Sequence, residues 1–478
     1  MDATLLIGLI VAYFGLLILI SYFTGKSDDN QAFFLGNRQS PWYAVAFGMV
    51  GASLSGVTFL SVPGLVANNS FAYMQVVLGY VAGYLVIIQV LLPLYYRLQL
   101  TSIYTYLEGR FGRSSYTTGS IFFLLSRVIG AAFRLYLIAI VLQTAIFDSL
   151  EIPFWLTVVI TIILIWVYTF RSGIKTIIWT DTLQTTFMLA AVIITIVTIQ
   201  QKLIPEGGLL RYINDSDYSR IFFFDDWKSG NYFFKNFLSG MFITIVMTGL
   251  DQDMMQKNLS CRSLGDARKN MFWLALTLVV VNFIFLSLGV LLYDFADAQS
   301  ISFAKPDELY TQVALSGTLG TTVLILFILG LVAAAYSSAD SALTALTTAF
   351  CVDILRIEKM EARQSKRTRK IVHLGFSFVL FLVILIFRQL NDDSVINELF
   401  TAAGYTYGPL LGLYAFGLYT KRSVKDKWVP LAAIASPLLA FGIRYYAKEW
   451  YQYSMSFEHL IINGLLMFLF LAMLSRKA

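Results

Sequence analysis

The sequence predicts an all-α integral membrane protein with thirteen transmembrane helices. Of its 478 residues, 58% are hydrophobic and only 13% are charged, and the mean hydropathy is +0.70. Soluble domains carry about 25% charged residues, so the excess apolar surface must face lipid. Runs of about 20 apolar residues, long enough to cross a bilayer as helices, recur along the chain, without the alternating pattern of a β-barrel.

These apolar runs place the helices in order along the chain. The predicted ranges are 3–24, 42–66, 71–96, 116–147, 153–170, 176–199, 234–256, 270–294, 319–352, 371–388, 395–419, 428–446 and 458–475. No basic residue precedes the first run, so we expect that this run is a retained helix and not a signal peptide.

Lysine and arginine are unevenly distributed between the predicted connections. With the N-terminus outside, 24 of the 35 Lys and Arg residues fall on inner connections, Lys257 among them, and nine fall on outer ones. Because cytoplasmic connections retain positive charge, we predict a multi-pass protein of the cell (inner or plasma) membrane with its C-terminus in the cytoplasm. The basic residues are scattered over seven loops, which argues against nucleic-acid binding, and no obligate protein partner is evident.

Two predicted helices contain residues that weaken a helix. The run 42–66 contains Gly51, Ser53, Ser55 and Gly56, and the run 234–256 has glycine, threonine and aspartate near its end. Unwound backbone at membrane depth is tolerated only where it is buried in protein or lines a cavity. The two helices are five apart, as expected for interrupted helices at matching positions of two transporter halves. The alternative is that the glycines only allow close helix packing.

The helix 319–352 carries hydroxyl groups in its middle. Ala334, Ser337 and Ser338 lie three or four residues apart and therefore share one helix face. Two serine hydroxyls, the Ala334 carbonyl and carbonyls of Gly51 and Leu54 from the weakened helix would form a set of uncharged oxygens. Hard cations prefer oxygen ligands, and uncharged ones suit a weakly held monovalent ion. The alternative is that the serines donate to the preceding turn of their own helix.

Two carboxylates also fall inside predicted membrane helices. A charge at this depth costs about 2.5–3.5 kcal/mol on insertion scales, so Asp181 and Asp340 require a partner or a role. Each could be a second cation ligand, a proton carrier or an ion-pair partner. Arg127 and Arg134, on one face of the helix 116–147, are the partners that the sequence offers.

Other residues are candidates for lining a cavity that binds a polar solute. Asp251 and Asp253 are predicted to point to different faces of their helix, so we expect only Asp251 to line a central cavity. Tyr405 begins a Tyr-Thr-Tyr-Gly-Pro run that could wall a solute pocket or simply pack. No catalytic triad, metalloprotease motif or phosphate-binding loop is present, so we expect no enzyme.

Over nearly the whole chain the sequence resembles the sodium:solute symporter family, which includes bacterial galactose, sialic acid and proline symporters. The matching pieces are residues 51–59, 101–111, 179–181, 252–257 and 334–353. The resemblance implies a fold of five-plus-five inverted repeats in one transmembrane domain, residues 1–478. The first repeat would be 42–199 and the second 234–419, with 3–24 and 428–475 as extra N-terminal and C-terminal helices.

The same resemblance assigns site residues. The common sodium site would be Gly51, Leu54, Ala334, Ser337 and Ser338, the set reached above from spacing. A second sodium site, or a release path, would use Asp181, Asp340 and Ser341 together with Ser337. The positions expected to contact solute are Ser55 and Thr58.

The resemblance is less complete for the rest of the solute pocket. Gly130 stands where a sialic acid symporter has its carboxylate-binding arginine, and Arg127 or Arg134 could replace that arginine. Phe400 and Asp251 stand where a galactose site has amides, which disfavours galactose.

The sequence therefore predicts sodium-coupled import by alternating access, with one or two Na+ ions. The expected solute is small, polar and organic: a sugar, sialic acid or a related carboxylate. The expected partners are this solute, sodium and the lipid bilayer. Two alternatives remain open at this point, namely a proton-coupled carrier that uses Asp181 or Asp340, and a solute-binding membrane sensor or channel.

Overall fold

The computed structural model of the chain is almost entirely helical. It describes residues 3–24, 30–169, 173–204, 208–390, 395–453, 455 and 457–476. Within these residues, extended structure is limited to the antiparallel strands β1 (Ser423–Val424) and β2 (Ser475–Arg476) and one bridge between Ser40 and Cys261. The predicted helical class is therefore confirmed.

The long helices follow the order of the predicted apolar runs, and we number them in that order. They are α1 (Ala3–Thr24), α2 (Trp42–Gly64), α3 (Tyr73–Arg97), α4 (Arg113–Leu142), α5 (Phe154–Thr169), α6 (Ile174–Leu203), α7a (Phe233–Gly249), α7b (Gln252–Leu259), α8 (Leu264–Ala298), α9 (Thr321–Ile354), α10 (Ala362–Leu390), α11 (Val395–Tyr419), α12 (Val429–Tyr451) and α13 (His459–Leu474). The largest difference from the prediction is at α10, where the basic run 363–370 is helical and not part of a loop.

Several of these helices have the dimensions of membrane spans. Among the described residues, seven are long and apolar enough to cross a membrane, and the count is nine if each of two bent pairs is one span. Only 22% of the most apolar window of α10 and 28% of that of α12 is buried inside the protein. The outward surfaces of these two helices are therefore apolar, as contact with lipid requires.

Helix α2 is interrupted near its middle. Its two parts, Trp42–Gly56 and Thr58–Gly64, meet at an angle of 60°. At the break Ser55 has φ 51° and ψ 169°, a backbone conformation that favours glycine and is strained for serine. The helices α4, α6, α8 and α9 pack against α2, so protein surrounds the irregular backbone. The predicted interruption of this helix is confirmed.

The second interruption separates α7a from α7b, which meet at 64°. Two backbone carbonyls at this break, those of Gly249 and Leu250, accept hydrogen bonds from the hydroxyls of Tyr95 at 2.8 Å and Tyr104 at 2.9 Å. Asp251 is extended and caps α7b, because its Oδ1 accepts the N–H of residues 253 and 254. The polar groups that the break releases from the helix are therefore satisfied by neighbouring side chains.

The connections between helices define two opposite faces. On one, which we call the loop face, the connections after α6 and α8 meet, and Lys202 Nζ donates to the carbonyl of Thr318 at 2.6 Å. On the other, which we call the basic face, the connections after α1, α3 and α7b meet, and the N–H of Ser40 donates to the carbonyl of Ser260 at 3.0 Å.

Helices α3 and α7a pack with their backbones in close contact. A Cβ atom added at Gly240 would lie 2.1 Å from the carbonyl oxygen of Val76, and one added at Gly79 would lie 2.1 Å from that of Phe237. Only a hydrogen fits at these two positions, because the obstructing atoms belong to the backbone.

We expect Gly240→Ala to lower the free energy of unfolding by about 1–3 kcal/mol, since overpacking must separate α3 from α7a. The measurement is the thermal unfolding midpoint of the purified protein in detergent. The control is Gly375→Ala in α10, where an added Cβ meets no atom within 4 Å. Equal midpoints for the two variants would contradict the close packing of α3 and α7a.

Candidate functional site

The break of α2 lies against the middle of α9. Ser338 Oγ lies 3.4 Å from the carbonyl oxygen of Ala52 on α2 and 3.4 Å from that of Ala334 on its own helix. The N–H of Gly51 donates to Thr185 Oγ1 on α6 at 3.1 Å. The structure thus brings the two helices that carry Gly51, Leu54, Ala334, Ser337 and Ser338 together. These oxygens are buried and uncharged, which suits a small monovalent cation.

A buried ion pair adjoins these oxygens. Asp181 Oδ1 accepts a hydrogen bond from Ser337 Oγ at 2.6 Å, and its Oδ2 accepts one from Lys257 Nζ at 2.7 Å. The side chains of Lys257 and Asp181 are 1% and 0% exposed. Of the alternatives that the sequence left open for Asp181, an ion pair is the one observed, but its partner is Lys257 and neither Arg127 nor Arg134. The bend after α7a turns α7b toward α6, and this places Lys257 at the carboxylate.

The serines of α9 do not all behave alike. Ser341 Oγ donates to the carbonyl of Ser337 at 3.1 Å, which is the bond to the preceding turn that the sequence left open. Ser337 instead donates to Asp181, and Ser338 lies between a carbonyl of its own helix and one of α2. Asp340 is fully buried on the same helix. Two of the three hydroxyls therefore reach another helix.

A cavity of about 680 Å³, which we call the central cavity, lies between α2, α3, α4, α7a, α8 and α11. The polar residues of its wall are Ser53, Ser55, Thr58, Tyr73, Tyr80, Tyr84, Arg134, Thr244, Thr248 and Asn282. Of the residues predicted to bind solute, the structure places Ser55, Thr58 and Arg134 at this cavity. Leu54 also lines it, so the wall of the cavity continues into the α2 segment beside Ser338.

Among the described residues of this wall, Arg134 is the charged one. Its side chain is buried, and its Nε and Nη1 atoms have no hydrogen-bond partner within the described part of the chain. It also lines a smaller pocket of about 270 Å³ between α4 and α11, which Arg127 and Gly130 border as well. Leaving buried charged N–H groups unpaired is costly, so this guanidinium is suited to an acceptor supplied by a ligand.

Arg127 has its partners within the protein. Its guanidinium forms ion pairs with Asp253 and, at 3.7 Å, with Asp251, and Tyr407 donates its hydroxyl proton to Asp251. The expectation that the two aspartates would point to different faces is wrong, because Asp251 belongs to the unwound segment, where helical spacing does not apply. Neither carboxylate lines the central cavity, and together with Arg127 they link α4, α7 and α11 on its basic-face side.

The central cavity adjoins a second pocket on its loop-face side. This pocket of about 630 Å³ contains Asn231 and Asn236, and Tyr73 and Phe400 line both this pocket and the central cavity. Tyr405 lies elsewhere, because its ring packs against His459 with centroids 5.0 Å apart. The structure therefore does not bring Tyr405 to the cavity wall, and Phe400 occupies the side of α11 that faces it.

The sequence did not identify several residues of the site. The predicted helix 234–256 leaves Lys257 in a loop, although no glycine or proline separates it from Gln252 and the helix continues through it. Tyr73, Tyr80 and Tyr84 were available as a pattern, since spacings of seven and four place them on one face of α3.

Comparisons with known proteins bear on this site. The model of the "Sodium:solute symporter family" matches residues 33–426. The sodium/sialic acid symporter NanT of Aliivibrio fischeri is 24% identical over 91% of this chain and 86% of its own length. The human sodium-coupled monocarboxylate transporter 1 is 25% identical over 87% of this chain and 69% of its own length.

A solved structure supports the fold. It is described as the substrate-bound outward-open state of a Na+-coupled sialic acid symporter, and it superimposes with a TM-score of 0.84 at 18% identity, covering 99% of both chains. The helical arrangement described here is therefore that of an established transporter fold.

We expect Arg127→Met to destabilise the protein by about 3–5 kcal/mol, because Asp251 and Asp253 would then be buried without their cation. The thermal unfolding midpoint in detergent measures this loss. Arg211→Met is the control, since the side chain of Arg211 is 89% exposed in its pair with Asp215 and such pairs contribute about 0–1 kcal/mol. A midpoint for Arg127→Met equal to that of the control would show that the buried pair is unimportant for stability.

Proposed function

This chain belongs to the sodium:solute symporter family, and on that premise we propose that it imports a small organic carboxylate together with sodium. Membership makes it a multi-pass membrane transporter, and not an enzyme, that couples the movement of a small solute to sodium. One observation supports the choice of a carboxylate. Arg134 presents buried guanidinium nitrogens without hydrogen-bond partners in the described structure, at the wall of a cavity of about 680 Å³.

The relatives agree with this solute class. The two described above are named for sialic acid and for monocarboxylates, and both names denote carboxylic acids. A guanidinium binds a carboxylate through two parallel hydrogen bonds, which gives strength and orientation. A neutral sugar would offer the Arg134 guanidinium only uncharged acceptors, which form weaker hydrogen bonds than a carboxylate, so we place carboxylates before sugars. Ser55, Thr58 and the tyrosines of α3 would contact the polar remainder of the solute.

The proposed sodium site consists of Gly51, Leu54, Ala334, Ser337 and Ser338. It is supported by the position of the Ser338 hydroxyl between carbonyls of α2 and α9, each at 3.4 Å. Sodium bound there would hold the two helices together and thereby fix the α2 segment that carries Ser55 and Thr58. Binding of each ligand would then favour the state that the other prefers, which is the requirement for coupling.

We also propose the membrane arrangement that the sequence predicted. The chain forms a single domain with thirteen spans, in which 42–199 and 234–419 are inverted repeats and α1, α12 and α13 lie outside them. The bends of α2 and α7, 60° and 64°, fall in the first helix of each proposed repeat and support the assignment. The excess of Lys and Arg on one set of connections supports an N-terminus outside and a C-terminus in the cytoplasm.

The structure described here would then be open to the outside. The central cavity meets the loop-face pocket at Tyr73 and Phe400, whereas Arg127 and its two aspartates cross-link α4, α7 and α11 on the opposite side. Import requires these contacts to separate while the loop-face side closes. Asp181, with Asp340 and Ser341 on the neighbouring α9, would mark the path by which sodium leaves.

Uptake into proteoliposomes tests the sodium site. We expect accumulation of solute only with an inward sodium gradient, and we expect Ser338→Ala to raise the sodium concentration for half-maximal uptake roughly tenfold, or about 1.4 kcal/mol. Ser377→Ala is the control, because the Ser377 hydroxyl is buried and bonds within α10 at 2.9 Å. Accumulation that persists when choline replaces sodium at fixed pH would indicate a proton-coupled carrier, and counterflow without accumulation a channel or sensor.

Ligand-induced stabilisation in sodium buffer tests the solute class. We expect monocarboxylates or sialic acid to raise the unfolding midpoint, and their methyl esters, which lack the charge, to have no effect. Arg134→Gln should weaken binding of the active acid by about 2–5 kcal/mol, and Arg134→Lys, which retains the charge, should weaken it less. Stabilisation by an uncharged sugar that survives in Arg134→Gln would reject the carboxylate assignment.

A further inference from the structure

A buried lysine ammonium lies beside the proposed sodium site, and the mechanism above leaves it without a role. Lys257 Nζ donates to Asp181 Oδ2 at 2.7 Å, while Asp181 Oδ1 accepts the Ser337 hydroxyl at 2.6 Å. Both oxygens of this carboxylate are therefore engaged, one by a serine of the sodium site and the other by a fixed positive charge.

The ammonium cannot easily leave this position. Every residue from Gln252 to Leu259 in α7b is buried, and Lys257 itself is 1% exposed. The preceding Gln256 donates through Nε2 to Thr348 Oγ1 of α9 at 3.1 Å, which fixes α7b against that helix. The backbone that carries Lys257 is therefore held close to Asp181.

The chemistry of the pair resembles that of a carboxylate with a bound ion. An ammonium group is a compact point charge, comparable in charge to an alkali ion. A second sodium ion coordinated by Asp181 would have to lie close to this ammonium in a poorly polarisable interior, where like charges repel strongly. With Lys257 in place the carboxylate is neutralised and has no need of another cation.

We propose that the ammonium of Lys257 takes the place of a second sodium ion at Asp181, so that the protein binds one sodium ion per transport cycle. This inference rests on the proposed sodium-coupled function and on the site at Ser337 and Ser338. It favours one bound sodium ion, where the sequence allowed one or two. Ser337 remains a sodium ligand, because its proton is directed to Asp181 and its lone pairs are free to face the ion.

A consequence follows for transport. One sodium ion moving with one monovalent carboxylate transfers no net charge, so uptake depends on the sodium gradient and not on the membrane potential. A tenfold sodium gradient then supports about tenfold accumulation. If the charge of Lys257 is removed, Asp181 lacks a counter-ion and becomes a ligand for a second sodium ion.

The test counts bound sodium directly, with radioactive 22Na+ alone as the probe and purified full-length protein in detergent. We expect one ion per wild-type molecule and two per molecule of Lys257→Met. Lys257→Met/Asp181→Asn, which removes the carboxylate as well, should return to one. Lys235→Met is the matched control and should stay at one, since Lys235 is a buried lysine that lies 3.9 Å from Glu458, away from this site.

The sodium counts distinguish a failure of the proposed sodium site from a failure of the role proposed for Lys257. Absence of sodium binding in the wild type would reject the sodium site itself. Two ions in the wild type, or one ion in Lys257→Met, would overturn the assignment of Lys257, because a merely structural lysine would leave the count unchanged. Should Lys257→Met fail to fold, the wild-type count and Lys257→Gln, which retains a hydrogen-bond donor without the charge, provide the same test.

Discussion

Backbone that leaves a helix inside a membrane must be covered by protein, and this constraint governs the structure. The break of α2 is enclosed by α4, α6, α8 and α9, and the break of α7 is covered by tyrosine hydroxyls of residues 95 and 104. Because protein encloses both breaks, the two breaks border the same interior space. The central cavity and the candidate sodium site are therefore adjacent, and in the proposed mechanism a sodium ion that orders α2 would also shape the cavity wall.

The charges around α7 follow from the same constraint. Asp251 and Asp253 lie at the break and are matched by Arg127 of α4, while Lys257 is matched by Asp181 of α6. Each pair joins α7 to a different neighbouring helix, so the second half of α7 is held from two sides. Arg134 differs from these residues because no described carboxylate forms an ion pair with it, and this difference is the basis for proposing that Arg134 binds the solute.

The sequence predicted the helices well because hydropathy directly measures which segments can be surrounded by lipid. It predicted the breaks of α2 and α7 for a similarly local reason, since glycine, serine and threonine weaken the helix where they occur. It was less successful at helix ends. The basic run 363–370 forms the start of α10 because backbone hydrogen bonds, and not hydropathy, determine where a helix begins, and this information is absent from composition.

By itself the sequence determined the helical membrane class, the two interrupted helices and the serines of α9 as candidate ion ligands. Only the tertiary structure decided which charges meet. Asp181 pairs with Lys257 and not with an arginine, and Asp251 and Asp253 share Arg127. The physical reason is that ion pairs between distant helices depend on bend angles and rotations, here 60° and 64° at two breaks, and helical spacing within one segment cannot specify them.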